Sequence, residues 1–153
     1  MFCTVSAVVL AADGNKPGTP VNGISRDALR DFAYQFFDAT NVTWKVNGGY
    51  QTAVFNLDGK SVCAMYSQDG QFLMASEQVT ADDLPAFVTD EISRKYGEYT
   101  VAEAVKVLAR PAGYKKHNDV GSYWTALRKG DDVVYLVTGE GTPAKLVRKM
   151  TLN

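Results

Sequence analysis

The chain has 153 residues, 46% of them apolar, and a net charge of −1. A chain of this composition folds as one domain or two small halves, which excludes disorder, and at this length it needs no disulfide or metal staple. Its 16 basic residues are balanced by 17 acidic ones, so no cationic field exists to gather phosphates and no nucleic-acid partner is expected.

The chain opens on a short run of small and apolar residues, CTVSAVVLAA. It is too short to span a bilayer. It has the shape of a secretory h-region, with Val9-Leu10-Ala11 as a small-residue cleavage site, although the basic residues that normally precede one are absent. Residues 1–12 are therefore expected to be a signal-peptide remnant, with a buried N-terminal strand as the alternative. No second apolar run follows, so no membrane span is expected. Cys3 lies in this run and Cys63 in a predicted strand. A disulfide between them would tie a removed segment to a sheet, and none is expected. Residues 13–23, rich in Gly, Pro and Asn, read as a flexible lead-in.

Ser25 is a suitable N-cap for a first helix running to about Phe37. Ala28, Leu29, Phe32, Ala33 and Phe36 fall on one stripe, opposite Arg26, Arg30 and Asp31. Four strands follow: Val42–Val46, Tyr50–Leu57, Lys60–Ser67 and Gln71–Val79. Asn47-Gly48-Gly49, Asp58-Gly59 and Asp69-Gly70 turn the chain between them, the last two as tight turns. A second helix is predicted between about Asp82 and Lys95, capped by Thr80 or Asp83, with Pro85 in its first turn and Gly97 at its stop. Residues 99–110 fit either period. Val101, Val105 and Leu108 suit a helix, whereas Val101, Val105, Val107 and Ala109 suit a strand. A polar loop spans 110–121, and strands are predicted at 122–129, 132–138 and 145–152.

The chain carries one pattern twice. Tyr50, Thr52-Ala53-Val54 and Asp58 meet Tyr123, Thr125-Ala126-Leu127 and Asp131 at an offset of 73 positions, while Leu29 and Phe32 meet Leu84 and Phe87 at 55. The difference implies 18 inserted residues in the second half, before its second strand. Each half then reads as a helix followed by an antiparallel meander. The fold class expected is α+β, with tandem helix-plus-four-strand repeats whose two helices pack on one face of the sheet. The domain is assigned to 24–153, in halves of about 24–79 and 80–153.

Trp44 after the first helix, the run Tyr66-Ser67-Gln68-Asp69-Gly70, Leu84-Pro85 before the second helix and Tyr96 at its end together resemble the PepSY-like family, also called β-lactamase-inhibitor-like. The resemblance covers about residues 27–150 and lies in the order of short motifs. It implies a small exported bacterial protein with no catalytic residues, and it implies that 99–109 is a strand.

The Asp58-Gly59 turn sets a register. Ala53, Phe55, Val62 and Ala64 share the core side, and Tyr50, Thr52, Val54, Cys63 and Met65 share the other. A two-residue turn at Asp69-Gly70 would add Phe72 and Met74 to that second side. The repeat would add Tyr123, Thr125 and Leu127, and would send Trp124, Ala126 and Tyr135 inward. Candidate binding residues are thus Tyr50, Thr52, Val54, Met65, Phe72, Met74, Tyr123 and Thr125. Aromatic residues and Met are enriched where proteins dock, although scattered apolar residues on an open sheet need no explanation.

Catalytic groups are not visible. His117 is the sole histidine and sits in a polar loop with Lys115, Lys116 and Asp119. No Cys/His cluster suggests a metal, and Gly139-Glu140-Gly141-Thr142 lacks the lysine of a phosphate loop. No cofactor is expected. The reading is an exported, periplasmic or secreted, non-catalytic binding module that meets a protein or peptide through its open sheet face. A structural or envelope-stress protein without a ligand site is the alternative.

Overall fold

A computed structural model of the protein describes residues 23–114 and 118–152. The signal-peptide assignment, almost all of the lead-in, Cys3 and His117 lie outside the described residues. Within them the chain forms two compact units. One runs to Glu77 and takes in Ala109–Tyr114; the other holds Gln78–Leu108 and residues 118–152.

The first unit holds α1 (Arg26–Gln35), β1 (Thr40–Asn47), β2 (Tyr50–Leu57), β3 (Lys60–Ser67) and most of β4 (Phe72–Val79). Its strands pair antiparallel in chain order. Ser25 caps α1 as expected, its hydroxyl accepting the Ala28 N–H at 3.2 Å. Ala28 and Phe32 are the buried residues of the helix. Phe32 meets the rings of Phe55 at 5.0 Å and Trp44 at 5.3 Å, and Phe36 meets Phe55 at 5.0 Å. Tyr66 and Phe72 close this aromatic core, their rings 5.6 Å apart. Such pairs add about 0.5–1.5 kcal/mol each beyond the area they bury.

A buried amide fixes where α1 begins. Gln51 is 3% exposed. Its Oε1 accepts the Ser25 N–H at 2.6 Å, and its Nε2 donates to the carbonyls of Ser67 and Gln68, both at 2.9 Å. One side chain thus ties the helix start to the β3–β4 connection. Gly70 completes the joint: a Cβ there would lie 2.4 Å from Ser25 Oγ and 2.9 Å from the Ala28 nitrogen.

The second unit holds α2 (Ala86–Tyr96), β5 (Thr100–Ala109), β6 (Tyr123–Lys129), β7 (Asp132–Thr138) and β8 (Lys145–Thr151), again antiparallel and in chain order. Its core is aliphatic: Leu84, Val88, Ile92, Ala104, Leu127, Val134 and Leu136. Residues 100–109 are strand, as the family resemblance implies. The second helix begins later than expected. Thr80 is the N-cap of a separate 3₁₀ turn, Ala81–Asp83, and its Oγ1 donates to Asp83 Oδ2 at 2.7 Å. Leu84 is held extended (ψ 132°) because the residue before a proline avoids the helical region, and Pro85 becomes the N-cap.

The fold class expected from sequence holds: two helices and eight antiparallel strands in two meander halves. The internal alignment does not. Arg26 of α1 answers to Ala86 of α2, an offset of 60 positions, and buried Ile24, Ala28 and Phe32 answer to buried Leu84, Val88 and Ile92. Leu57, before the β2–β3 turn, answers to Lys129, before the β6–β7 turn, an offset of 72. The second half therefore carries 12 extra residues between its first and second strands, not 18. Five residues of the difference come from the helices, whose offset is 60 and not 55, and one from the turns. Asp58 and Gly59 both have positive φ (50° and 76°), as a type I′ turn demands, whereas at Gly130-Asp131 only the glycine does (57°), as in type II′. Matching Asp58 to Asp131 misaligns the strands by one residue.

Candidate functional site

A one-residue misalignment of a strand exchanges its two faces. Tyr123 and Thr125 are consequently on the helix side. Thr125 is fully buried, and Tyr123 packs on Phe87 with ring centroids 5.9 Å apart. Leu127 joins the core beside them. Trp124, Ala126 and Arg128 take the far side, across from Val137, Tyr135 and Val133. Arg128 is exposed.

Phe72 also moves to the helix side. Met65 pairs with Met74 as expected, but Tyr66 pairs with Phe72, so Leu73 is an extra residue in a bulge. The turn is longer than Asp69-Gly70 alone: Ser67 N–H donates to Gln71 O, and Gly70 N–H to Ser67 O, each at 2.9 Å. Because Gly70 seats the turn against α1, the bulge absorbs the difference in register and delivers the Phe72 ring to Phe36 and Tyr66.

Five predicted residues remain together on the far face of the first unit. Thr52 pairs with Met65 and Met65 with Met74, while Val54 pairs with Cys63 and Cys63 with Ser76. Tyr50 stands at the start of β2, 40% exposed. Thr52, Val54, Met65 and Met74 are half-buried, and Cys63 and Ser76 are buried. Cys63 is disulfide-bonded, which corrects the expectation that it is unpaired.

The far face of the second unit is the part that the sequence reading missed. Val105, Val107, Ala126 and Val133 are buried there, with Trp124, Tyr135 and Val137 half-buried. Trp124 Nε1 donates to Asp119 Oδ2 at 3.1 Å, and Asp119 is itself 4% exposed. That bond fixes the loop after residue 117 over the strand. A cleft of about 510 Å³ opens beside it, lined by Asp119, Ser122, Trp124, Val137, Lys145 and Leu146 among others. The Tyr123-Trp124 doublet was visible in the sequence; which member faced outward depended on the turn.

Perturbed ionisable groups lie elsewhere. Burial, and then the neighbouring Asp31 carboxylate, push the Tyr66 phenol far above its ordinary pKa. This hydroxyl is buried in the core without a well-formed hydrogen bond. At the surface, Glu98 and Lys129 pair, which lowers the Glu98 pKa and raises that of Lys129. Among the described residues, no group of three or more His, Cys, Asp or Glu could hold a metal ion, and no helix is long and apolar enough to cross a membrane.

No protein-family model matches the chain, and no curated protein does. Solved structures match over most of its length. A BLIP-like protein from Bacteroides fragilis is 21% identical, with a TM-score of 0.61, covering 90% of this chain and 89% of that one. A DUF2874 family protein from Bacteroides uniformis is 16% identical, with a TM-score of 0.62, covering 82% and 87%. A protein from Bacteroides eggerthii, provisionally named periplasmic, is 14% identical, with a TM-score of 0.61, covering 82% and 86%. The fold is thus similar to that of BLIP-like and DUF2874 family proteins; identities this low speak for fold alone.

Proposed function

We propose that the protein is an exported, periplasmic, non-catalytic binding module of the PepSY-like kind. It takes a protein or peptide partner, in the manner of an inhibitor, on the sheet faces turned away from its helices. One observation carries this reading. Each unit sets its helix against one face of its meander, yet the opposite face is not built for water. In the first unit that face holds Tyr50, Thr52, Val54, Met65 and Met74; in the second it holds Trp124 and Tyr135 beside the cleft. A sheet face that only meets solvent alternates to polar residues, and apolar patches rimmed by polar groups mark places where proteins associate. Likeness to a BLIP-like protein and to one provisionally named periplasmic supports the reading.

The test is quantitative capture from an envelope extract of the source organism. The full chain and its Tyr50→Ala/Met65→Ala/Met74→Ala variant would be compared, with thermal unfolding of both as the control. A partner retained by the parent and depleted about tenfold on the variant is the expected result, as for loss of interface anchors. Equal capture by both proteins would contradict the proposal.

A further inference from the structure

Strand β8 lies at the end of the second meander and, among the described residues, pairs only with β7. A strand paired on one side leaves a row of N–H and C=O groups as a template for another strand. β8 is exposed along nearly its whole length, with Leu146 at 49% and Val147 at 46%. Tyr135 pairs with Arg148 and Leu136 with Leu146, so Val147 is an extra residue that bulges out of the ladder. The strand carries Lys145, Arg148 and Lys149 and no acidic residue. Lys145, Leu146 and Val147 also line the cleft that Trp124 and Val137 share. A backbone edge unpaired among the described residues, three cations and an apolar cleft therefore coincide on one strand.

We propose that β8 is a docking strand for an extended, acidic segment of a partner protein. The segment adds to the free edge through main-chain hydrogen bonds, the usual mode of strand addition. Its carboxylates meet Lys145 and Arg148 on one face of the sheet and Lys149 on the other, and one of its apolar side chains enters the cleft beside Trp124. The charges decide against a second copy of this chain as the occupant. Pairing β8 with itself would bring three cations from each copy to one seam, and like charges on facing strands repel. The same residues that deter self-pairing favour an acidic strand. This inference rests on the reading that the protein binds protein segments, but it uses a surface separate from Tyr50, Met65 and Met74.

Fluorescence polarisation of the full chain tests it with a labelled nine-residue peptide in which Glu and Asp residues flank a central Val-Ile pair. Saturable binding that weakens with added salt is expected. Arg148→Glu/Lys149→Glu weakens it by about tenfold or more. A peptide N-methylated at alternate residues, which alters no protein group, loses as much because it cannot complete the ladder. Equal binding of a Lys-for-Glu peptide or of the N-methylated peptide overturns the proposal, as does the absence of saturable binding. A dimer in sedimentation that Arg148→Glu abolishes would assign the edge to a second copy and overturn it equally. The Tyr50→Ala/Met65→Ala/Met74→Ala variant separates the two readings. If the peptide fails to bind while that variant still loses its envelope partner, the β8 proposal falls and the wider reading stands.

Discussion

The two halves solve one architectural problem with different chemistry. In the first, α1 rests on rings: Phe32, Phe36, Trp44, Phe55, Tyr66 and Phe72. Its start is clasped by the neutral amide of Gln51 and by the close approach of Gly70. In the second, α2 rests on branched aliphatics. It is tied to the chain before β8 by a carboxylate, Glu91 Oε2 accepting the Ala144 N–H at 2.7 Å, and Glu91 also pairs with Arg94 and Lys95. At the position equivalent to Gln51, at the strand offset of 72, the second half has Tyr123, an aromatic packed on Phe87. Helix placement is thus set by what lies under the first inward residue of the second strand. A buried amide there specifies a geometry; an aromatic ring only fills volume.

Substitutions at equivalent positions sharpen this contrast. The largest effect is expected in the aromatic core. Phe32→Ala removes a ring that contacts three others and should cost about 3–5 kcal/mol, whereas Ile92→Val, at the equivalent place in α2, should cost about 0.5–1.5 kcal/mol. Urea unfolding of both variants measures the difference, and equal losses would break the distinction between the two cores.

Gln51→Leu comes next. It keeps the volume but leaves the Ser25 N–H and two carbonyls without their buried partner. One or more orphaned buried groups should cost about 2–3 kcal/mol. Hydrogen exchange at the first turn of α1 should quicken more than exchange in α2; equal acceleration in both helices would mean that the amide does not govern helix placement.

Two glycines separate close packing from backbone strain. Gly70→Ala suffers both, since φ is 85° and its Cβ meets Ser25 and Ala28, whereas Gly130→Ala has φ 57° with nothing within 4 Å. A loss of about 2–3 kcal/mol for the first and about 1 kcal/mol for the second is expected from thermal unfolding.

The smallest effect at neutral pH is at Tyr66. The folded state raises its pKa, so above the ordinary value of 10.0 the unfolded chain releases a proton that the folded chain retains. Stability is therefore unaffected by this group at low pH and falls as pH rises past that value. Tyr66→Phe should change little at pH 7, because the buried hydroxyl has no well-formed hydrogen bond, and should flatten the alkaline decline. An unchanged decline would assign it to other groups.

Much of this molecule was legible in the sequence, to the level at which one residue of register matters. The stripes Ala28/Phe32 and Val88/Ile92 mark the helices because burial on a helix recurs at three and four residues. Asp58-Gly59 dictated the pairing of Phe55 with Val62 and Ala53 with Ala64, since its turn type leaves no freedom. Strand β5 was ambiguous because Ala, Glu and Lys suit a helix by propensity, and only packing under α2 makes Ala104 a core residue of a strand. The far faces were harder. Phe72 went astray because the bulge at Leu73 comes from the fit of the 67–71 turn to α1, a tertiary constraint. Tyr123 and Thr125 went astray because Asp-Gly and Gly-Asp turns look alike as composition and differ as geometry. The cleft at Trp124 depends on Asp119 folding back onto β6, which no periodicity encodes.

The central claim is that a partner meets the faces turned from the helices. Hydroxyl-radical footprinting of the captured complex reads side chains directly. Tyr34 and Phe37, 85% and 79% exposed in and just after α1, serve as internal references. The account predicts that oxidation of Tyr50, Met65 and Met74 falls in the complex while Tyr34 and Phe37 react as before. Protection of Tyr34 and Phe37 with no change at Tyr50, Met65 and Met74 would contradict it.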